Sequence, residues 1–557
     1  MGLYLLDYGA GNVQSLANSL RTLGHDFKWI SSPDDFDRAT SLVFPGVGAF
    51  ETAIDGLVSR GLLEPLRAYV GSGKPYLGIC IGMQVLYRSS AENPDVKGLG
   101  FIPSPVERFD DGDKAVPHMG WNSAEHLDPT AARGEIEEGD HFYFVHSYRA
   151  KYDVEAYPAA AEWAYTTTQY GQEVFVSSVR KGNVFGTQFH PEKSGAAGLK
   201  LLDAWLSKTE DERRALPSNP RRPQPPRPKD GLTKRIIACM DVRANDAGDL
   251  VVTKGDQYDV REKTTPSASL PTKTAGSVRN LGKPVALAAR YADAGADELC
   301  LLNITSFRHS PLHDQPMLAV VRAAAESVFV PLTIGGGIKD TVDPDGTKRS
   351  ALEVAGAYFR AGADKVSIGS EAVYAVERLR AGDRDGSSAI ETIARAYGRQ
   401  AVVVSVDPRR AYVDPDTYDG PYRSELVYGK LDGPEDERGK AWWYQCTVSG
   451  GRENRPLSVV ELCRGVEELG AGELLVNSID RDGTGRGFDL DLVKLVKSAV
   501  RIPVVASSGA GSADHFVQVF QQTDVESALA AGIFHRGEVE IADVKKAMDA
   551  AGINARQ

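Results

Sequence analysis

Two rhythms of apolar and polar positions run along the chain. Over roughly the first 200 residues, short apolar runs (LYLLDY, SLVFPG, YLGIC) alternate with stretches of helical period such as NVQSLANSLRTLG and FETAIDGLVSRGLLEPLRAYV. That order predicts an α/β domain with parallel strands at the centre of its sheet. FYFVHSYRA, EVFVSSVRKG and VFGTQFH predict further strands toward the end of this half.

Downstream, strand-like runs recur with helices between them: RIIACMDV, ADELCLLNIT, VFVPLTIGG, ADKVSIGS, QAVVVSVDP, GELLVNSID, IPVVASSGAG and VESALAAGIFH. Eight strand–helix units in about 325 residues predict a (β/α)8 barrel of the TIM type. The runs also pair off, RIIACMDVR with AVVVSVDPR and VPLTIGGGI with IPVVASSGAG among them, at offsets of roughly 160–175 residues. The barrel therefore reads as two copies of a four-unit half.

Between these regions, Pro217 to Pro228 places six prolines in twelve residues. Such a segment cannot carry helix or sheet ladders and predicts an extended, semi-rigid linker. The expected organisation is an α/β domain over residues 1–210, a linker over 211–231 and the barrel over 232–557. Residues 256–280, rich in Thr, Ser and Lys, are expected to form a mobile loop over the barrel mouth. Residues 408–456 form a longer insertion whose role the pattern does not disclose.

Charge and cysteine usage narrow the partners. A net charge of −12 argues against nucleic acid or an anionic membrane as the main partner, since both reward a basic face. Any phosphate-bearing ligand must then be held by local design. The five cysteines (80, 239, 300, 446, 463) are scattered, never in a C-x-x-C pair and without zinc-type spacing, which fits free thiols in a reducing compartment. The N-terminus shows no basic leader and no apolar run has the length of a bilayer span. A soluble cytoplasmic protein is expected, with plastid import open if a leader was removed.

One cysteine stands apart. In YLGICIGMQ, Cys80 lies between a strand and a helix with glycines at 78 and 82, so a sharp turn would hold the thiol at a helix N-terminus, where the thiolate is favoured. GTQFHPEKS sets His190 and Glu192 two residues apart, so that on an extended strand both face one side and the carboxylate orients the imidazole. FPGVGAF, with Gly46, Val47 and Gly48, can turn a backbone N–H toward the site, and the N–H of Ile81 follows the nucleophile. Taken singly, each piece fits a structural role; in this chain order they fit a Cys–His–Glu triad.

LGICIGMQ, PGVG and FHPE resemble the class I, triad-type glutamine amidotransferases, and GAGNVQSL, PHMGWN and YFVHSY narrow the resemblance to the glutaminase of imidazole glycerol phosphate synthase. The resemblance covers residues 1–205. It implies that Cys80 attacks the side-chain amide of glutamine, that His190 moves protons and that Glu192 holds His190. It further implies that Gln84, His146, Ser147 and Tyr148 line the glutamine pocket.

In the barrel, Asp241 and Asp407 close equivalent strands of the two halves and are expected to face each other across the mouth, as an acid–base pair or as caps of the loops that follow. Small-residue turns at 334–338, 367–370, 507–511 and 530–534 let backbone N–H groups approach phosphate, with one cluster in each half. A ligand with a phosphate at either end is the expectation, and Lys254 can neutralise part of its charge. This half resembles the cyclase of the same synthase over residues 232–557. The resemblance implies that Asp241 and Asp407 are the acid–base pair and that Lys254 and Asn477 reach the ligand. It assigns Gly337, Gly369 and Ser370 to one phosphate, and Asp482, Gly483, Ser508, Gly509, Ala531 and Gly532 to the other. Asn303 and Ser508 depart from the single-domain bacterial pattern, which has aspartate and glycine there, and resemble the fused eukaryotic form.

At the opposite ends of four strands stand Arg235, Glu298, Lys365 and Glu473, which read either as polar trim or as a closed ring of salt bridges; the resemblance implies a charged gate facing the glutaminase. The implied reaction frees ammonia at Cys80 and passes it through the barrel. There it attacks the formimino group of a phosphoribulosyl-formimino-aminoimidazole carboxamide ribotide, giving imidazole glycerol phosphate and aminoimidazole carboxamide ribotide in histidine biosynthesis. Neither half is expected to need a metal or cofactor, and fusion removes the need for a separate glutaminase subunit, so a monomer is expected. Two rivals stay open: a glutaminase fused to another phosphate-binding barrel synthase, and a catalytically dead scaffold.

Overall fold

A computed structural model describes residues 2–128, 136–214, 222–244, 250–253, 283–304, 312 and 316–557. In the N-terminal half, five strands run parallel in the order Phe27–Trp29, Gly2–Leu5, Ala39–Phe44, Tyr76–Ile79 and Val184–Thr187. Glu173–Lys181, Ala164–Tyr170 and Glu125–His126 extend this sheet antiparallel. Every residue of Tyr76–Ile79 is buried, which is why that strand reads as an unbroken run instead of an alternation. The long helical stretch after residue 50 splits into Phe50–Ser59 and Leu63–Gly71 around Gly61.

Eight strands of the C-terminal half are parallel neighbours in chain order: Arg235–Ala244, Glu298–Asn303, Leu332–Gly335, Lys365–Ile368, Val402–Val406, Glu473–Asn477, Val504–Ser507 and Ser527–Ala530. The last pairs with the first and closes the barrel. Three of the outer helices start with a reciprocal Ser-x-x-Glu cap, at Ser350/Glu353, Ser388/Glu391 and Ser458/Glu461, which satisfies N–H groups that would otherwise face the sheet ends unpaired. Ile237, Cys239, Cys300, Val403, Leu475, Val505 and Leu529 form an apolar layer inside the barrel, separate from the core between strands and helices.

The 408–456 insertion is a small antiparallel sheet of Pro408–Val413, Val427–Tyr428, Ala441–Val448 and Glu453–Ser458. Arg410 anchors it, paired at 2.9 Å with both Glu437 and Asp489 and lying 4.3 Å over the Trp442 ring. The later part of the linker docks on the first domain: Tyr152 Oη donates to the Arg222 carbonyl (2.8 Å), and Gln169 and Arg227 exchange two hydrogen bonds. The two domains meet through Trp121 Nε1 donating to the Asp297 carbonyl (2.9 Å) and a Lys193–Asp364 ion pair (2.8 Å). The 256–280 loop lies outside the described residues. Among the described residues no helix is long and apolar enough to cross a membrane.

Candidate functional site

Tyr76–Ile79 delivers Cys80 at φ 51, ψ −102, a conformation a non-glycine residue adopts when its surroundings dictate it. Two close backbone approaches on either side of it need glycine. A Cβ on Gly78 would lie 2.3 Å from the Gly82 carbonyl oxygen, and one on Gly82 would lie 2.0 Å from that of Phe44. His190 Nδ1 sits 2.7 Å from Glu192 Oε1, and both side chains are buried. The two do not share a strand face, contrary to the expectation from spacing. Pro191, whose ring suits a first helical position, opens the turn Pro191–Lys193 that carries Glu192 back to the ring. Burial disfavours a charged imidazole, but the Glu192 carboxylate and the Cys80 sulfur outweigh it and hold His190 well above its ordinary range. Cys80 and this imidazole thus stand together as a nucleophile and its acid–base partner.

Gln188 belongs to this site and escaped the sequence reading. Its Nε2 donates to Cys80 Sγ (3.4 Å), and its Oε1 accepts from Gln84 Nε2 (3.0 Å), which also donates to the Tyr148 carbonyl (3.1 Å). Gln84 thus reaches the thiol through Gln188. The signal was Gln188's position two residues before His190, the spacing that puts extended residues on one side. His146, which the resemblance assigns to the glutamine pocket, sits in a buried ring cluster and shares the Tyr148 carbonyl with Gln84. Its Nδ1 lies 2.7 Å from the Tyr148 carbonyl and its Nε2 3.2 Å from His118, and burial pushes its pKa down to about 3. The Ser147 hydroxyl is buried and has no hydrogen-bond partner among the described residues. At the expected oxyanion donors, the Ile81 N–H donates to the Gly46 carbonyl (3.4 Å), while the Val47 carbonyl accepts from Tyr8 Oη (2.7 Å), and Gly48 lies against the same hydroxyl. An oxyanion at Cys80 would have to displace the Gly46 carbonyl.

Arg235, Glu298, Lys365 and Glu473 are the first residues of their strands and their side chains are at most 2% exposed. Arg235 pairs with Glu298 (2.7 Å) and Glu473 (2.5 Å), and Lys365 pairs with Glu298 (2.7 Å) and Glu473 (2.6 Å), so the four close a ring of alternating charge. Burial opposes the ionised carboxylate of Glu473, but Arg235 and Lys365 prevail and hold its pKa below the usual range. The first domain abuts the ring: Met119 Sδ lies 3.4 Å from Lys365 Nζ, and Gly120 packs on the Arg235 side chain.

Beyond the ring and the apolar inner layer, the other end of the barrel opens into a cavity of ≈ 630 Å³. Asp241 and Asp407 border it from the two halves, with Asn303 and Asn477. Gly337, Gly369 and Ser370 border it, as do Asp482, Gly483, Ser508, Gly509, Ala531 and Gly532. Lys254 lies outside the described residues. Ser508 holds φ 74, a conformation that suits the glycine of the single-domain pattern. Lys339, Arg452, His535 and Arg536 also border the cavity and were not singled out from the sequence. Burial raises the Asp407 pKa against hydrogen bonds from Asn477 Nδ2 (2.8 Å) and Ser405 Oγ (3.4 Å), the direction that suits a proton donor near neutral pH. Among the described residues no group of three or more His, Cys, Asp or Glu is arranged to hold a metal ion.

Comparison with known proteins assigns both halves. Residues 4–207 match the family described as glutamine amidotransferase class-I, and residues 235–540 the family described as histidine biosynthesis protein. Imidazole glycerol phosphate synthase hisHF of Schizosaccharomyces pombe is 53% identical over 553 residues, 97% of each chain. The chloroplastic hisHF of Arabidopsis thaliana is 52% identical over 565 residues, 99% of this chain and 89% of that one. The barrel alone aligns with imidazole glycerol phosphate synthase subunit HisF of Haloarcula marismortui, 39% identical over 325 residues, 58% of this chain and 99% of that subunit. With both halves matched and a fused relative more than half identical along nearly its whole length, the chain belongs to the imidazole glycerol phosphate synthase family in its fused form, a class I glutamine amidotransferase joined to a histidine-biosynthesis barrel.

Proposed function

We propose that this chain hydrolyses glutamine at Cys80, passes the ammonia through the barrel and uses it to convert the bisphosphorylated ribulosyl-formimino ribotide to imidazole glycerol phosphate and aminoimidazole carboxamide ribotide. Cys80 attacks the amide carbon, and His190, held by Glu192, gives its proton to the leaving ammonia. Water then releases glutamate from the thioester. Free ammonia is mostly protonated in neutral water, so an enclosed path preserves it as a nucleophile. Ring opening at Arg235, Glu298, Lys365 and Glu473 admits it, and the inner layer offers no charge to protonate it. In the cavity Asp407 donates and Asp241 accepts protons, while glycine-rich turns hold the two phosphates.

The observation that carries this reading is the closed ring of buried charges, set between a thiol–imidazole–carboxylate site and a cavity bordered by two aspartates and several glycine-rich turns. With both domains in one chain no separate glutaminase subunit is needed, and the substrates are small molecules. The protein works as a cytoplasmic monomer in this reading. Cys80→Ala tests it: glutamine-dependent formation of imidazole glycerol phosphate should vanish while turnover with ammonium salt persists. Loss of both, or of neither, sinks the proposal.

A further inference from the structure

The 408–456 insertion ends in a turn that enters the cavity. Its strands Ala441–Val448 and Glu453–Ser458 pair antiparallel, and between them Ser449, Gly450 and Gly451 all take positive φ, 57, 67 and 81. Ser449 pays a conformational penalty there that only specific contacts offset. Those contacts come from the barrel and from the insertion's own first strand. The Ser449 N–H donates to Ser370 Oγ (2.9 Å), and Arg409 Nη2, two residues past Asp407, donates to the Gly451 carbonyl (2.9 Å). Thr447 Oγ1 donates to the carbonyl of Asp407 itself (2.6 Å). So latched, the turn brings Gly450 and Arg452 to the cavity wall that also carries Gly369 and Ser370. Arg452 Nη1 donates to the Ser449 carbonyl (2.8 Å), which ties the guanidinium to the turn.

The charge around the cavity gives this arginine a task. Among the described residues that border it, five carboxylates stand against three side chains of fixed positive charge, Lys339, Arg452 and Arg536. Arg536 is taken up by a two-fold pairing with Glu538 (2.6 and 2.7 Å). Lys339 lies within electrostatic reach of the neighbouring Glu371. From these residues a ligand with two phosphates meets mostly like charge. Because Ser370 Oγ accepts from Ser449, its own hydrogen is left to donate toward the cavity that Ser370 borders.

We propose that Arg452, delivered by the turn of the insertion, is a phosphate-binding residue of the barrel cavity and clamps the ligand end held by Gly369 and Ser370. The inference rests on the reading that the cavity takes a ligand with a phosphate at each end. It gives the insertion a function: the sheet anchored by Arg410 is a rigid arm that carries one cation to the rim. Arginine suits that place, because its planar fork binds phosphate oxygens two at a time.

The test uses the full chain with Arg452→Ala and Arg452→Lys, turning over the bisphosphorylated ribotide with ammonium salt. Arg452→Ala should raise KM about tenfold, a loss of about 1.4 kcal/mol, with kcat within about twofold, and Arg452→Lys should recover part of the loss. Inorganic phosphate, followed by calorimetry, should bind the wild type and bind Arg452→Ala more weakly by a similar factor. A kcat that falls at unchanged KM marks a merely structural turn and overturns the proposal, as do KM and phosphate affinity within twofold of wild type in both variants. If the wild-type chain does not turn over the ribotide, the functional reading fails, and the phosphate titration alone then decides Arg452: weakened binding supports its role and equal binding overturns it.

Discussion

Glu473→Gln cuts the ring of charge in one place. In the wild type two cations and two carboxylates cancel, and each carboxylate serves both cations, at 2.5 and 2.6 Å for Glu473. The amide keeps the shape but removes one negative charge, leaving Arg235 and Lys365 to share Glu298 with no water at hand. Breaking a buried ion pair from one side costs about 3–5 kcal/mol, a large part of a stability of about 5–15 kcal/mol. The variant should fold, with its urea midpoint clearly lowered. Lys365→Met should cost a similar amount with the opposite sign of residual charge. The double variant keeps only the Arg235–Glu298 pair and is neutral again, so its loss should fall short of the sum by roughly 1–3 kcal/mol. The sign with pH follows from the lowered pKa of Glu473. Burial opposes that shift, while Arg235 and Lys365 cause it. The stability it contributes is present above its unfolded value near 4.5 and is lost as pH falls through the lower folded value, so the gap between wild type and Glu473→Gln should close on acidification below about pH 4.5. Urea unfolding at pH 7 and across the acid range reads all of this. A gap below about 1 kcal/mol at pH 7, or additive losses in the double variant, would refute a closed, dry ring.

Three further outcomes follow from the same geometry. His190 should titrate well above pH 6.5 in the folded protein, its charged form adding stability that is present below that value and lost as pH rises through the folded pKa; Glu192→Gln should lower this pKa more than Cys80→Ala does, read by nitrogen NMR of the ring. Asn477→Ala removes a 2.8 Å bond that favours the ionised form of Asp407, so the Asp407 pKa should rise further and the matching limb of the pH–rate profile for ammonium-dependent cyclisation should move to higher pH. Gly82→Ala drives a Cβ to 2.0 Å from the Phe44 carbonyl, which only a backbone shift can relieve; glutaminase activity should fall by at least about a hundredfold, since small misplacements in a site carry such costs, while cyclisation with ammonium salt continues.

Much of this molecule is legible before any coordinate is known. The eight apolar runs of the second half, and their pairing at a common offset, predict a closed barrel, because parallel strands buried on both faces leave an unbroken apolar signature. The glycines around Cys80 and the position of Arg235, Glu298, Lys365 and Glu473 at strand starts are likewise local patterns. Where the reading falls short, apart from the local turn that Pro191 opens between His190 and Glu192, the missing term is a contact between segments far apart in the chain. Gln188 becomes part of the thiol site only because Val184–Thr187 pairs with Tyr76–Ile79, which sets its amide beside Cys80. His146 packs among Phe109, His118 and Phe175, a ring cluster that no spacing rule reveals.

The insertion makes the same point. Its sequence shows a break in rhythm and nothing more; its use depends on Ser370 and Arg409 holding a turn in an otherwise unfavourable conformation, so that Arg452 stands at the cavity. Residue type and period determine which segments become strands and helices and which side chains can do chemistry, since those are properties of a few neighbouring residues. Which of those side chains meet, and which charges lose their water, is decided only when distant strands close into a barrel and a sheet, because desolvation and hydrogen-bond geometry belong to the assembled neighbourhood and to no single stretch of chain.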